Sequence, residues 1–181
     1  MATATYGNNP GSARLRVSPG CWRVDPARSY ASFMARVAGG PVRGRLAVAG
    51  RVHIAQPLED SEASLTARTA TLSTGLALLD QLITGPGFLD AAMFPEITFR
   101  AELLACVPAG WRAVGHLRLK GIERPLACQL EVDPGGPAHG TSGLAIISRW
   151  ALDSRWVTRQ RIPALGRRIV MACSIALVPD L

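Results

Sequence analysis

The sequence predicts an all-β protein: an antiparallel sheet of about eight strands, closed into a barrel, with one short helix-containing crossover. Three observations predict it. Apolar and polar residues alternate with period two over most of the chain, the signature of strands with one buried face. Gly- and Pro-containing turns separate the alternating runs, so neighbours in sequence pair as hairpins. Only one stretch has helical spacing, so the strand–helix alternation of a parallel sheet is missing. Eight strands favour closure, which removes exposed edges and can leave room for one ligand. A two-sheet sandwich is the other architecture this pattern allows.

The elements follow in order. Cys21 to Val37 begins the fold, with a turn or corner at Asp25-Pro26. From Ser29, residues Ala31, Phe33, Ala35 and Val37 share a face, and Gly39-Gly40-Pro41 turns the chain. Val42, Gly44, Leu46, Val48, Gly50, Val52 and Ile54 then oppose Arg43, Arg45, Arg51 and His53, a long strand whose glycines suggest bending or close packing. Ser64 to Leu72 reads as a further strand. Ser73 to Phe99 is the crossover. Leu76, Leu79 and Ile83 fall at helical spacing, and Gly85-Pro86-Gly87 must end that helix. Phe94-Pro95 then pushes the chain into a strand from Ile97. Ile97 to Ala105, Trp111 to Leu119, Leu126 to Val132, Leu144 to Trp150 and Ile169 to Val178 complete the set. Pro108-Ala109-Gly110, Gly121 to Pro125, Pro134 to Gly143 and a basic connection from Asp153 to Gly166 join them.

Composition bounds the function. At 181 residues and 48% hydrophobic, the chain is one folded domain by default. Residues 1–20 are expected to be a flexible N-terminal segment and 21–181 the barrel. The first twenty residues contain no apolar core of signal-peptide length, and no run approaches a membrane span, so a soluble cytoplasmic protein without stable membrane insertion is expected. The net charge of +7 is almost all arginine, Lys120 being the one lysine. The arginines are scattered, which speaks for a solvated surface and against a nucleic-acid site. Cys21, Cys106, Cys128 and Cys173 form no C-x-x-C pair, which argues against zinc and redox chemistry and leaves a disulfide open. His53 and His116 lie on polar strand faces and His139 in a loop. No nucleophile elbow, H-E-x-x-H or phosphate loop is present. No catalytic residue, metal or cofactor is expected.

A set of short motifs resembles the YceI-like, polyisoprenoid-binding family. It runs from Trp22-Arg23-Val24-Asp25-Pro26, Ser29 and Phe33 through Val42-Arg43-Gly44-Arg45-Leu46, Thr74-Gly75, Asp80 and Phe88-Leu89-Asp90. It continues in Pro95-Glu96-Ile97-Thr98-Phe99, in Gly115 to Pro125 and at Arg149, in family order across roughly residues 21 to 178. Two positions depart from the family pattern: Leu79 stands where an arginine usually precedes Asp80, and Leu152-Asp153 replaces an aromatic-glycine pair. The resemblance implies a lipocalin-like barrel that binds or carries a long isoprenoid or fatty-acyl chain, often as a homodimer, without catalytic residues.

The residues expected to line the apolar cavity are Phe33, Leu46, Leu79, Phe88, Phe99, Trp111, Leu117 and Leu130. The alternative is that these side chains pack together and leave no space. Arg149, Arg155 and Arg159, with Arg161, are candidates for a polar head group, because guanidinium matches phosphate by paired hydrogen bonds. Trp150 and Trp156 are candidates to border the opening.

Overall fold

A computed structural model describes residues 18–107, 110–133, 144–158 and 165–180. The strands are β1 (Gly20–Val24), β2 (Tyr30–Val37), β3 (Gly40–Ile54), β4 (Glu62–Arg68), β5 (Glu96–Val107), β6 (Gly110–Leu119), β7 (Ile122–Asp133), β8 (Leu144–Asp153) and β9 (Arg168–Pro179). The helix α1 spans Ala77–Thr84. All pairings are antiparallel, in the order β1-β3-β2-β9-β8-β7-β6-β5-β4, and β3 also pairs with β4, which closes the sheet.

The result is an eight-stranded barrel, because β1 and β2 share one position in it. β2 runs beside Gly40–Ala47 of β3, and β1 beside Arg51–Ile54 of the same strand. On the other side β2 pairs with Ile169–Ser174 of β9, and β1 with Leu177–Pro179. Between them the chain turns at a corner. Asp25 accepts a hydrogen bond from the Ala27 amide at 3.0 Å, an Asx turn, and the buried Ser29 hydroxyl accepts one from the Ala176 amide at 3.0 Å. That hydroxyl satisfies a β9 donor at the break between β1 and β2.

The two barrel ends are closed differently. At the β1 end, Val24, Ile54, Leu144 and Leu177 are buried, and Leu58 packs against them. Ser61, fully buried, accepts a hydrogen bond from the Ala55 amide at 2.9 Å. At the other end lie the crossover (residues 69–95), the β6–β7 hairpin and the connection from β8 to β9. The expected strand at Ser64–Leu72 stops at Arg68; Thr69–Thr71 form a single 3-10 turn instead. Two threonines divert the chain there. Thr69 donates to the Phe94 carbonyl at 2.9 Å, and the Thr71 hydroxyl accepts from the Ala47 amide at 3.0 Å. Helix α1 ends at Gly85, as its Gly-Pro-Gly break requires.

The β6–β7 turn is shorter than the sequence suggests. Lys120 and Gly121, with φ of 52° and 72°, form a two-residue loop with left-handed residues at both positions, the hairpin turn whose twist matches its strands. β7 therefore starts at Ile122 and includes Pro125. The strand tolerates Pro125 because β8 pairs with β7 only at Gln129–Asp133, so the first half of β7 lacks a ladder partner on that side. Pro108-Ala109 and Pro134–Gly143 lie outside the described residues, as do residues 1–17; Gly20 already belongs to β1.

Candidate ligand cavity

The alternation along each strand decides which side chains meet inside. In β3, Leu46, Val48 and Val52 are buried while Arg43, Arg45 and Arg51 are exposed. In β6, Ala113, Leu117 and Leu119 are buried and Arg112 and Arg118 exposed. These inward faces do not fill the barrel. They enclose a cavity of about 340 Å³, with α1 and the crossover over one end. That volume falls in the roughly 300–1,000 Å³ range of small-molecule sites.

Seven of the eight residues expected at the wall are there: Phe33, Leu46, Leu79, Phe88, Phe99, Leu117 and Leu130. Leu79 comes from α1 and Phe88 from the chain after it, so the crossover supplies part of the wall. Gly44 shows how tightly Phe33 is held. The two are register partners, and a Cβ on Gly44 would lie 2.5 Å from the Phe33 ring. Trp111 is a correction. It has the inward parity of Ala113, but it sits at the end of β6, beyond the cavity, and is only half-buried. Periodicity gives the face of a strand, not the depth along it.

The wall is almost wholly hydrocarbon. Thr66, Ser148, Trp150 and the thiols of Cys128 and Cys173 are its polar-capable members. Burial pushes the Cys128 thiol up to about 11 and the Cys173 thiol up to about 12, so both are neutral at ordinary pH. Both positions that depart from the family pattern have a structural role. Leu79 and Leu152 add apolar surface to the wall, and Asp153 accepts hydrogen bonds from Arg155 and Arg167.

The described head-group candidates, Arg149 and Arg155, do not face the cavity. Arg149 lies on the outer side of β8, between the wall residues Ser148 and Trp150, and pairs with Glu131 at 3.7 Å. Arg155 is exposed and held by Asp153 at 2.9 Å. Its side-chain and backbone hydrogen bonds, followed by those of Arg167, hold the Asp153 carboxyl well below the usual carboxylate range. Arg159 and Arg161 lie outside the described residues.

A different pair of cations borders the crossover end. Lys120 donates to the Phe88 carbonyl and, at 3.2 Å, to the Val157 carbonyl, which ties the crossover to the chain after β8. Arg124 stacks on Trp156, its guanidinium carbon 4.6 Å from the ring centre. One terminal nitrogen of Arg124 is buried without a hydrogen-bond partner, as is the indole nitrogen of Trp150. Both residues flank the stretch where β7 and β8 part. The signal for Arg124 was present in the sequence: it shares the parity of Leu126, Cys128 and Leu130. Reading Gly121 to Pro125 as a turn hid it.

His53 is exposed, and His116 lies 3.4 Å from Glu102 on the outer surface. Among the described residues no group of three or more His, Cys, Asp or Glu side chains is placed to hold a metal ion. Nor is any helix among them long and apolar enough to cross a membrane.

The family model for the YceI-like domain matches residues 22–174. The chain belongs to the YceI-like family. Solved structures agree on the fold. BcnA of Burkholderia cenocepacia superposes with a TM-score of 0.75 at 17% identity, covering 84% of this chain and 98% of that one. A polyisoprenoid binding domain from Saccharophagus degradans, implicated in plant cell wall breakdown, gives 0.68 at 11% identity, covering 88% and 98%. The Campylobacter jejuni YCEI protein gives 0.62 at 15% identity, covering 75% and 83%. No curated protein matches the chain. At these identities the likeness is one of fold.

Proposed function

We propose that this YceI-like barrel binds and carries a long-chain lipid, of the isoprenoid or fatty-acyl kind, with no chemistry of its own. One observation carries the reading: the barrel encloses an apolar cavity of about 340 Å³ where a packed core would leave none. Hydrocarbon entering such a space gains about 0.8 kcal/mol per CH₂. Ordering and association costs hold the net well below that sum. The wall residues Phe33, Leu46, Leu79, Phe88, Phe99, Leu117 and Leu130 would touch the chain. The neighbour from Saccharophagus degradans, named as a polyisoprenoid binding domain, supports the ligand class through the shared fold. The polar role expected of Arg149, Arg155 and Arg159 passes in this reading to Arg124, whose unpartnered nitrogen is a ready donor to a ligand oxygen.

Native mass spectrometry of the freshly purified protein, followed by organic extraction and mass analysis, tests this. A copurified prenyl or fatty-acyl species is the expected result. A clean apo mass, with no uptake of offered prenols or fatty acids, contradicts it.

A further inference from the structure

Among the described residues, the crossover end shows water a surface that the rest of the barrel does not. Leu76, Leu78, Leu82 and Met93 are 65%, 84%, 57% and 69% exposed, whereas the next most exposed large apolar residues, Tyr30 and Ile122, reach only 43%. Helix α1 explains the concentration. Leu79 and Ile83 line the cavity from one side, while Leu78 stands in water on the other. The helix has a polar side of Asp80, Gln81 and Thr84 and an apolar face too broad for the cavity to cover; even Leu82, which lines the cavity, is left largely exposed. Large apolar side chains exposed together at one end of a barrel mark a contact surface.

The charge around the patch indicates what makes the contact. Arg36, Arg43, Arg68, Arg118, Arg167 and Arg168 are exposed on strand ends at this end of the barrel. Glu96 and Glu123 are the exposed acids beside them; Asp80, Asp90 and Asp153 are half-buried there, and Asp153 is paired with Arg155 and Arg167. The β1 end is mixed in charge, with Glu59, Asp60, Glu62, Glu102, Glu131 and Asp180 exposed alongside Arg23, Arg51 and Arg112. We propose that the crossover end is a docking surface for an anionic lipid bilayer. The four apolar side chains enter the boundary between head groups and acyl chains, and the arginine border meets the acidic head groups. A second copy of the chain fits this surface less well, because two such ends face to face bring like charges together. Docking itself does not depend on the lipid-carrier reading. That reading supplies its purpose, since the same end lies over the cavity.

Sedimentation of the full chain with phosphatidylcholine vesicles, and with mixed phosphatidylcholine–phosphatidylglycerol vesicles, tests the proposal. Expected is binding to the mixed vesicles that weakens as salt rises, with much weaker binding to phosphatidylcholine alone. Leu78→Glu with Met93→Ser, two substitutions away from the cavity wall, lowers that binding at least about tenfold. Arg43→Glu with Arg118→Glu does so selectively on the anionic vesicles. Extraction of the same variants reports cavity occupancy separately, so a failure of docking is distinguishable from a failure of lipid carriage. No sedimentation with either vesicle overturns the proposal, as does binding unchanged in both variants. So does a dimer in analytical ultracentrifugation that Leu78→Glu splits while vesicle binding stays the same, which would seat a second copy there.

Discussion

At the β1 end of the barrel, apolar side chains from β1, β3, β8 and β9 meet one another, and Val24 and Leu177 are each 1% exposed. At the crossover end, apolar side chains divide between a cavity and the solvent, and polar contacts hold the elements in place. The anchors there are Lys120 on the carbonyls of Phe88 and Val157, Thr69 on that of Phe94, and Asp80 on Thr74. A barrel with a void must draw its stability from somewhere other than its middle. Here one end supplies packing, while the other is covered by α1 and the crossover.

The largest expected effect is at the packed end. Leu177→Ala costs about 2–5 kcal/mol, the usual range for a buried leucine, whereas Leu78→Ala, on an exposed side chain, stays within about 0.5 kcal/mol. Urea unfolding measures both. Equal costs would abolish the contrast between the ends.

Lys120→Met comes next, because it removes both donors that tie the crossover to the chain after β8. It costs about 1–2 kcal/mol, reduced from the range for a charged donor because the side chain is only part-buried. Hydrogen exchange should quicken over residues 77–94 while β1 and its partners in β9 keep their protection. Equal quickening at both ends would show that the barrel opens as one unit.

A smaller effect comes from the cavity thiols. Their folded values, about 11 and 12, lie above the unfolded value of about 8.5. A raised thiol contributes its stability in full below the unfolded value and loses it as pH rises toward the folded one. Stability is therefore flat in this respect up to pH about 8.5 and declines above it. At mildly alkaline pH, iodoacetamide followed by peptide mapping should label the exposed Cys21 and spare Cys128 and Cys173. Labelling of all three at one rate would mean the cavity is open to solvent.

Asp153→Asn is the smallest. The carboxyl value is lowered in the fold, so its contribution is present above the unfolded value of about 3.9 and lost as pH falls below it. Its partners Arg155 and Arg167 are 71% and 76% exposed, and solvent screens such pairs. The variant should unfold at nearly the wild-type urea concentration at neutral pH and lose part of the wild type's decline in acid.

Much of this fold was legible in the sequence because period-two alternation reports which face of a strand is buried. It assigned Phe33, Leu46, Phe99, Leu117 and Leu130 to the interior, and helical spacing placed Leu79 and Ile83 there too, although Leu76 in the same set is exposed. The same parity, applied to β8, would have turned Arg149 outward, since Ser148 and Trp150 on either side face inward. Trp111 failed for another reason: alternation carries no information about depth. The corner at Asp25-Pro26 was legible as a turn. That β1 and β2 on either side of it share one barrel position depends on their common partner β9, as in the Ser29–Ala176 contact 147 residues apart in the chain, and no local pattern reports that. Arg124 was hidden by turn chemistry, because Lys120 in a left-handed conformation shortens the loop that Pro125 seemed to lengthen.

The most direct test of the central claim, that the void is a lipid site, is a titration with saturated fatty acids of increasing length, on the wild type and on Ala113→Phe. Ala113 is a buried wall residue toward the β1 end, so a ring there shortens the cavity. The account predicts that wild-type affinity rises up to about fourfold per added CH₂ and then levels off once the space is full. In Ala113→Phe the plateau should come at a shorter chain. Affinity independent of chain length, or the same plateau in both proteins, would mean that lipid does not bind in this cavity.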